Sequence, residues 1–214
     1  MSVLSRVGPQ QEHTIVLSVG PAPACDSDLV EPPIGPRTVL TTDRLRIRDW
    51  VPADGDTVLE IYGRVEVVKW LGDGDPVPCQ TPEQAQAWIQ RWRGRDDPPL
   101  GYWAIEVTEP GPLAGRVVGS VLLVPLPNGD GEVEIGWSLH PDAWGHGFAS
   151  EAGRAVLARG FDGGLPEIHA VTHLTNELSM AVCRRIGMTH RGVVEKWYAL
   201  PSQHFVVTRD QWDG

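Results

Sequence analysis

The chain has 214 residues, with 18 lysines and arginines against 28 aspartates and glutamates, a formal net charge of −10, and 41% apolar content. That content suffices for one well-buried core, and the acidic balance offers none of the excess positive charge that binding a phosphate backbone draws on, so nucleic acid is not an expected partner. No apolar run approaches the length needed to span a bilayer, and the first twenty residues lack the basic head and apolar body of a signal peptide, so the protein is expected to be soluble, cytoplasmic and free of membrane. Cys25, Cys79 and Cys183 are too few and too scattered for a disulfide framework or a metal knuckle.

Residues 1–36 contain no aromatic residue, six prolines, one basic and four acidic side chains. Such a stretch buries too little apolar surface to offset its ordering entropy, so it is expected to be a flexible arm in which His13 to Val19 could dock as a strand. Residues 37–214 then form the functional domain. Arg44 to Asp49 alternates polar and apolar residues as a half-buried strand does, and Pro52-Ala-Asp opens a helix running to about Tyr62. A second helix starts at Thr81-Pro82-Glu83, with Thr81 as N-cap and proline in the first turn, and ends near Gly94. Strands are predicted over Tyr102 to Val107, Arg116 to Val124 and Glu132 to Leu139, separated by proline- and glycine-rich turns. After them come a helix from Gly147 to Phe161, a strand from Ile168 to Leu174, a helix from Asn176 to Ile186, and strands near Arg191 to Trp197 and His204 to Thr208. The order implies an α+β fold in which helices flank a mixed, mostly antiparallel sheet.

The stretch from Glu134 to Ala152 carries the chemistry. It reads as a strand, a turn after Pro141, a Gly-x-Gly and a helix. A glycine-loosened turn feeding a helix offers free backbone N–H groups and the positive end of the helix dipole, a site for an anion and above all for phosphates. Gly145 and Gly147 permit close approach, Ala149 keeps the third place small, and Ser150 adds a hydroxyl. By itself the glycine pair fits an ordinary tight turn equally well. A P-loop is excluded because no lysine ends the turn, and a Rossmann fingerprint is disfavoured because Ser150 replaces its third glycine. The strand before it also alternates, with Glu132, Glu134, Gly136 and Ser138 on one face and Val133, Ile135, Trp137 and Leu139 on the other.

These residues resemble the coenzyme A signature of the GNAT acyltransferase superfamily, whose pattern Gln/Arg-x-x-Gly-x-Gly/Ala maps onto Trp144-Gly-His-Gly-Phe-Ala149, with Trp144 departing at the first place. The likeness is strongest to the branch of ribosomal-protein N-terminal acetyltransferases, where a Trp-Gly-x-Gly-Tyr/Phe-Ala turn is usual. Other pieces agree in order: Leu40 to Arg48, Asn176-x-x-Ser179 leading to Arg185-Ile-Gly-Met188, and Val207 to Trp212.

The resemblance implies that acetyl-CoA is the co-substrate, with its pyrophosphate on the turn from Trp144 through Gly145, His146, Gly147, Phe148 and Ala149 to Ser150. It implies a pantetheine arm laid along the strand ending at Leu139, whose N–H would hold the oxyanion, and touching Asn176, which is equally suited to cap its own helix with Ser179 at N3. Glu134, on the exposed face of the central strand beside Trp137, is the candidate base; a solvated acid paired with an arginine is the competing reading. Many relatives place a tyrosine acid where this chain has Cys183, so Ser179 is the substitute, and Cys183 itself is expected to be an inert buried thiol. His140 is a second base candidate. His169 and His173 lie roughly 13 Å apart at about 3.3 Å per residue, too far to share a metal, and no metal is expected.

The expected reaction is direct transfer of an acetyl group to a primary amine in a ternary complex, and the acidic surface favours a cationic acceptor such as a protein N-terminus or small amine. Arg64 to Trp70 and Trp88 to Arg95 are expected to wall the acceptor site, though tryptophan and arginine there fit core and solvated face equally well. A homodimer is compatible with the sequence. The competing readings are a non-catalytic acyl-CoA-binding regulatory module and, more weakly, dinucleotide binding at the same glycines.

Overall fold

The computed structural model describes residues 35–72, 74–94 and 97–212. Residues 1–34, including the strand expected over His13 to Val19, lie outside the described residues. Eight strands, β1 (Thr38–Thr41), β2 (Leu45–Arg48), β3 (Gly101–Val107), β4 (Val117–Pro125), β5 (Val133–Leu139), β6 (Glu167–His173), β7 (Thr189–Val194) and β8 (Ser202–Thr208), form one sheet in the order β1-β2-β3-β4-β5-β6-β8-β7. Every pairing is antiparallel except β5 with β6. A parallel pair needs a crossover, and the helix α4 (Phe148–Asp162) supplies it. The α+β architecture expected from the element order is the one observed.

The other helices are α1 (Gly55–Tyr62), α2 (Val65–Val68), α3 (Pro82–Arg93) and α5 (Glu177–Arg185). The starts of α3 and α5 follow the caps in the sequence. The Thr81 hydroxyl accepts from the amide of Gln84 at 3.3 Å, and the Asn176 side chain accepts from the amide of Ser179 at 3.2 Å, so two otherwise unpaired donors are satisfied. Two elements have no counterpart in the sequence reading: β1 and α2 are four residues each, too short for periodicity to register. The strand expected over Arg191 to Trp197 instead runs Thr189–Val194, because Trp197 leaves the ladder and buries itself over β6 and β8.

The sheet separates two cores. On one face, Ile105, Val121, Leu123, Ile135 and Phe205 meet Phe148, Val156, Leu157 and Phe161 of α4 and Met180, Cys183 and Ile186 from α5 to its C-cap. On the other, Tyr102 and Ala104 meet Val58, Ile61 and Tyr62 of α1, Val67 and Val68 of α2, and Ile89 and Trp92 of α3. This second face also holds charge. Arg48, only 5% exposed, forks onto Asp54 with two 2.8 Å bonds and donates to Glu106 at 2.6 Å, while Arg46 holds Glu106 from the other side. The two arginines keep the Glu106 carboxyl below its ordinary range despite the opposing effect of burial, which is the largest single influence on it. Among the described residues no helix is long and apolar enough to cross a membrane.

Candidate active site

The turn expected to bind an anion stands at the head of α4. Gly145 and Gly147 adopt φ of +78° and +81°, in the left-handed region where a side chain is strained. A Cβ on Gly145 would meet nothing within 4 Å, so the turn is open on that side. The first helical amide with a backbone acceptor is that of Glu151, which donates to the Gly147 carbonyl at 3.0 Å. The N–H groups ahead of it are the unpaired donors every helix start leaves, and here they emerge at an exposed loop. The Ser150 hydroxyl is buried beside them with no hydrogen-bond partner, an orphan that an incoming acceptor oxygen would satisfy.

The strand leading into this turn has an unusual edge. β5 pairs with β4 along its whole length, but among the described residues its only register partner on β6 is Glu134 with His169. Beyond that rung the two strands part. His140 donates its amide to the Val118 carbonyl on the β4 side, so by the alternation of an antiparallel ladder the backbone groups of Ile135, Trp137 and Leu139 turn the other way, those of Ile135 into the rung with His169 and those of Trp137 and Leu139 into the gap beyond it. The Trp144 indole N–H already uses one of them, the Leu139 carbonyl, at 2.9 Å. An extended chain could enter this wedge and pair with β5 as an added strand.

Glu134 lies where the wedge closes. It shares its face of the sheet with Ser138 and the Tyr62 hydroxyl bonded to it at 2.8 Å, and its carboxylate accepts a hydrogen bond from the Tyr198 hydroxyl at 2.6 Å. Tyr198 sits between β7 and β8 and, with Trp197, closes this face above β5 and β6. Trp137, expected beside Glu134, points to the opposite face and packs against α4, where a Cβ on Gly153 would lie 3.9 Å from its ring. It belongs to the wedge side, because neighbours along a strand alternate faces.

A profile of the acetyltransferase (GNAT) domain matches residues 44–189, most of the chain, with both the glycine turn and the wedge inside it. The chain belongs to the GNAT acetyltransferase family. It is 29% identical over 161 residues to an uncharacterized N-acetyltransferase, YoaA, of Bacillus subtilis, covering 74% of this chain and 87% of that one. Its fold matches a GNAT-family acetyltransferase from Bacillus anthracis with TM-score 0.65 at 23% identity, covering 79% of this chain and 98% of that one. It also matches RimJ of Mycobacterium smegmatis, solved in complex with CoA-disulfide, with TM-score 0.64 at 17% identity over 79% of this chain and 84% of that one.

Within this GNAT domain the remaining candidates fall into place. Asn176 caps α5 through Ser179, and both stand partly exposed at the wedge end of the helix. Cys183 is fully buried, and burial pushes its thiol up to about 12, so it is no nucleophile at neutral pH. His140 is buried with Nδ1 accepting the Asp142 amide at 3.1 Å, a role that orders the turn. His169 and His173 part company: His169 bonds His204 at 3.0 Å, while His173 bonds the Gly72 carbonyl at 3.0 Å beside Trp70. Among the described residues no three His, Cys, Asp or Glu side chains gather as a metal site. Of the expected acceptor wall, Trp92 is core, 8% exposed, with Trp88 packed on it, Val67 and Val68 are core as well, and Trp70 packs against His173.

Sequence reasoning missed two side chains that contact the candidate residues. Tyr198 lies 64 positions from Glu134, in a loop with no motif of its own. Arg44 was read only as part of a strand; its guanidinium instead reaches the glycine turn from the loop between β1 and β2, with Nε on Glu151 at 2.6 Å and Nη1 on the His146 carbonyl at 3.0 Å. The Leu40 to Arg48 likeness was the available signal for Arg44, and none existed for Tyr198.

Proposed function

We propose that this GNAT protein is an acetyl-CoA-dependent N-acetyltransferase of the RimJ/RimL-like branch, acting on a primary amine by direct attack in a ternary complex. The carrying observation is the open, amide-rich turn at the head of α4 set beside a sheet that parts after a single rung. The turn suits a pyrophosphate, the wedge suits an extended pantetheine arm, and the orphan Ser150 hydroxyl suits an acceptor oxygen, so the residues fit coenzyme A. When bound, acetyl-CoA supplies the acyl group as an activated thioester.

The chain's own residues do the rest. Asn176 faces the arm while capping α5. The Leu139 N–H, turned into the wedge, is the donor for the oxyanion of the tetrahedral intermediate. Glu134 takes a proton from the acceptor ammonium, directly or through a water, and the Tyr198 hydroxyl holds its carboxylate in place. Ser179 is the nearest hydroxyl of α5 for the departing thiolate. The acidic chain favours a cationic acceptor, a protein N-terminus or small amine. The catalytic unit is residues 37–214.

Calorimetric titration with acetyl-CoA, coenzyme A and NAD tests this reading, with Gly147→Trp as the blocked control and an amine screen read by thiol release. The expected result is coenzyme A binding that the variant abolishes, and amine-dependent thiol release. Binding without release from any amine would favour a regulatory acyl-CoA-binding module; NAD binding in place of coenzyme A would overturn both.

A further inference from the structure

The turn from Trp144 to Ser150 brings little positive charge of its own. Trp144 is directed away, its indole donating to Leu139, and the one basic side chain, His146, has Nδ1 on the Trp144 carbonyl at 2.9 Å. A dianionic pyrophosphate held by amides alone would lack a counter-charge. The fold delivers one from elsewhere. Arg44 crosses from the loop between β1 and β2, and three contacts fix its plane: Nε to Glu151 at 2.6 Å, Nη1 to the His146 carbonyl at 3.0 Å, and its carbon 5.0 Å from the centroid of the buried Phe148 ring. Glu151 is locked in turn by the Thr42 hydroxyl at 2.5 Å and the Arg44 amide at 2.9 Å. Glu109 approaches Nη1 at 3.9 Å. The third nitrogen, Nη2, has no hydrogen-bond partner among the described residues and lies 3.4 Å from where a Cβ on Gly147 would stand. The side chain is 34% exposed, so this free edge is open to solvent beside the glycines.

We infer that Arg44 is the pyrophosphate-binding cation of this site, its Nη2 edge presented to the same oxygens that the amides of the glycine turn receive; this rests on the coenzyme A reading of the turn. Arg44 also does what a lysine there could not, because one planar fork satisfies Glu151 and the His146 carbonyl and still offers a third donor. By taking the His146 carbonyl it removes an acceptor that would otherwise compete for the amides at the start of α4.

The test compares two ligands on one protein. Acetyl-CoA and acetyl-pantetheine share the thioester and arm, and only the first carries the pyrophosphate. Titrated into the full chain, Arg44→Gln should weaken acetyl-CoA by roughly 10- to 100-fold, the worth of one charge-assisted hydrogen bond, and leave acetyl-pantetheine unchanged. Equal weakening of both ligands would mean that Arg44 only shapes the turn, and an unchanged acetyl-CoA affinity would mean that it makes no contact; either overturns the inference. Absence of acetyl-CoA binding to the unmodified chain would sink the coenzyme A reading itself, and this inference with it. The unmodified chain gives a second readout that needs no variant to fold. Coenzyme A, but not pantetheine, should slow phenylglyoxal modification of Arg44, followed by peptide mass spectrometry. Equal modification with and without coenzyme A counts against the inference as strongly as the affinities do.

Discussion

The face of the sheet under α4 and α5 and the face under α1, α2 and α3 are built from different materials. The first is almost wholly carbon, with Leu157, Phe161 and Ile186 at or below 2% exposure. The second carries its chemistry in buried polar groups: Arg48 between Asp54 and Glu106; the Tyr62 hydroxyl bonded to Ser120 at 2.5 Å and Ser138 at 2.8 Å; His169 against His204; Glu134 under Tyr198. On the proposed function the first would be the cofactor side, where shape and a dry wall suffice and apolar packing provides both without partners. The second would be the acceptor side, and each buried polar group there depends on a specific second group to offset its lost hydration.

That contrast can be broken at single residues. The largest effect is expected at Glu134→Gln, which keeps the shape and the Tyr198 contact but removes the proposed base. The rate of amine acetylation at saturating acetyl-CoA should fall about 10²- to 10⁴-fold with coenzyme A affinity unchanged by calorimetry. A loss of affinity in step with rate would move Glu134 out of the acceptor side. Next comes Arg48→Met, which leaves Asp54 buried and uncompensated and should lower unfolding free energy by about 3–5 kcal/mol in a urea titration. Tolerance of that change would show that the second face is held by its aromatic residues and not by its charges.

The smallest effect concerns pH. Burial, with the neighbouring His169, Arg191 and His190, brings His204 down to about 4 from its ordinary 6.5. Between those values the unfolded chain binds a proton that the fold refuses, so this contribution to stability is intact above pH 6.5 and erodes as pH falls toward 4. Urea midpoints at pH 7, 6 and 5 should fall progressively, and His204→Asn should flatten the trend. An unchanged slope in that variant would place the acid sensitivity elsewhere.

The same division decides what the sequence disclosed. The apolar face was legible because alternation and 3.6-residue spacing record burial residue by residue: α4 and α5 and the strands β3 to β6 appear in the sequence within a few positions of their observed ends. The glycine turn was legible because positive φ demands glycine at Gly145 and Gly147. The polar contacts of either face were not. Tyr62 meets Ser120 and Ser138, Glu134 meets Tyr198, and on the α4 side Arg44 meets Glu151, across 58 to 107 positions, and no local pattern announces such pairs. Trp92 is the converse case: an aromatic residue beside arginines fits a binding wall and a core equally well in the sequence, and it is core.

The single rung between β5 and β6 has a mechanical meaning. β1 to β5 and β6 to β8 are, in backbone terms, two smaller sheets hinged at Glu134 and His169 and tied on one side by α4. Such units can open on separate schedules, each with its own local stability. The amides of Trp137 and Leu139, though at the centre of the fold, should exchange with solvent deuterium as readily as those of an outer strand. Whatever fills the cleft would weld the halves into one cooperative structure, so occupancy would be written into the exchange rates of two backbone positions far from any moving loop.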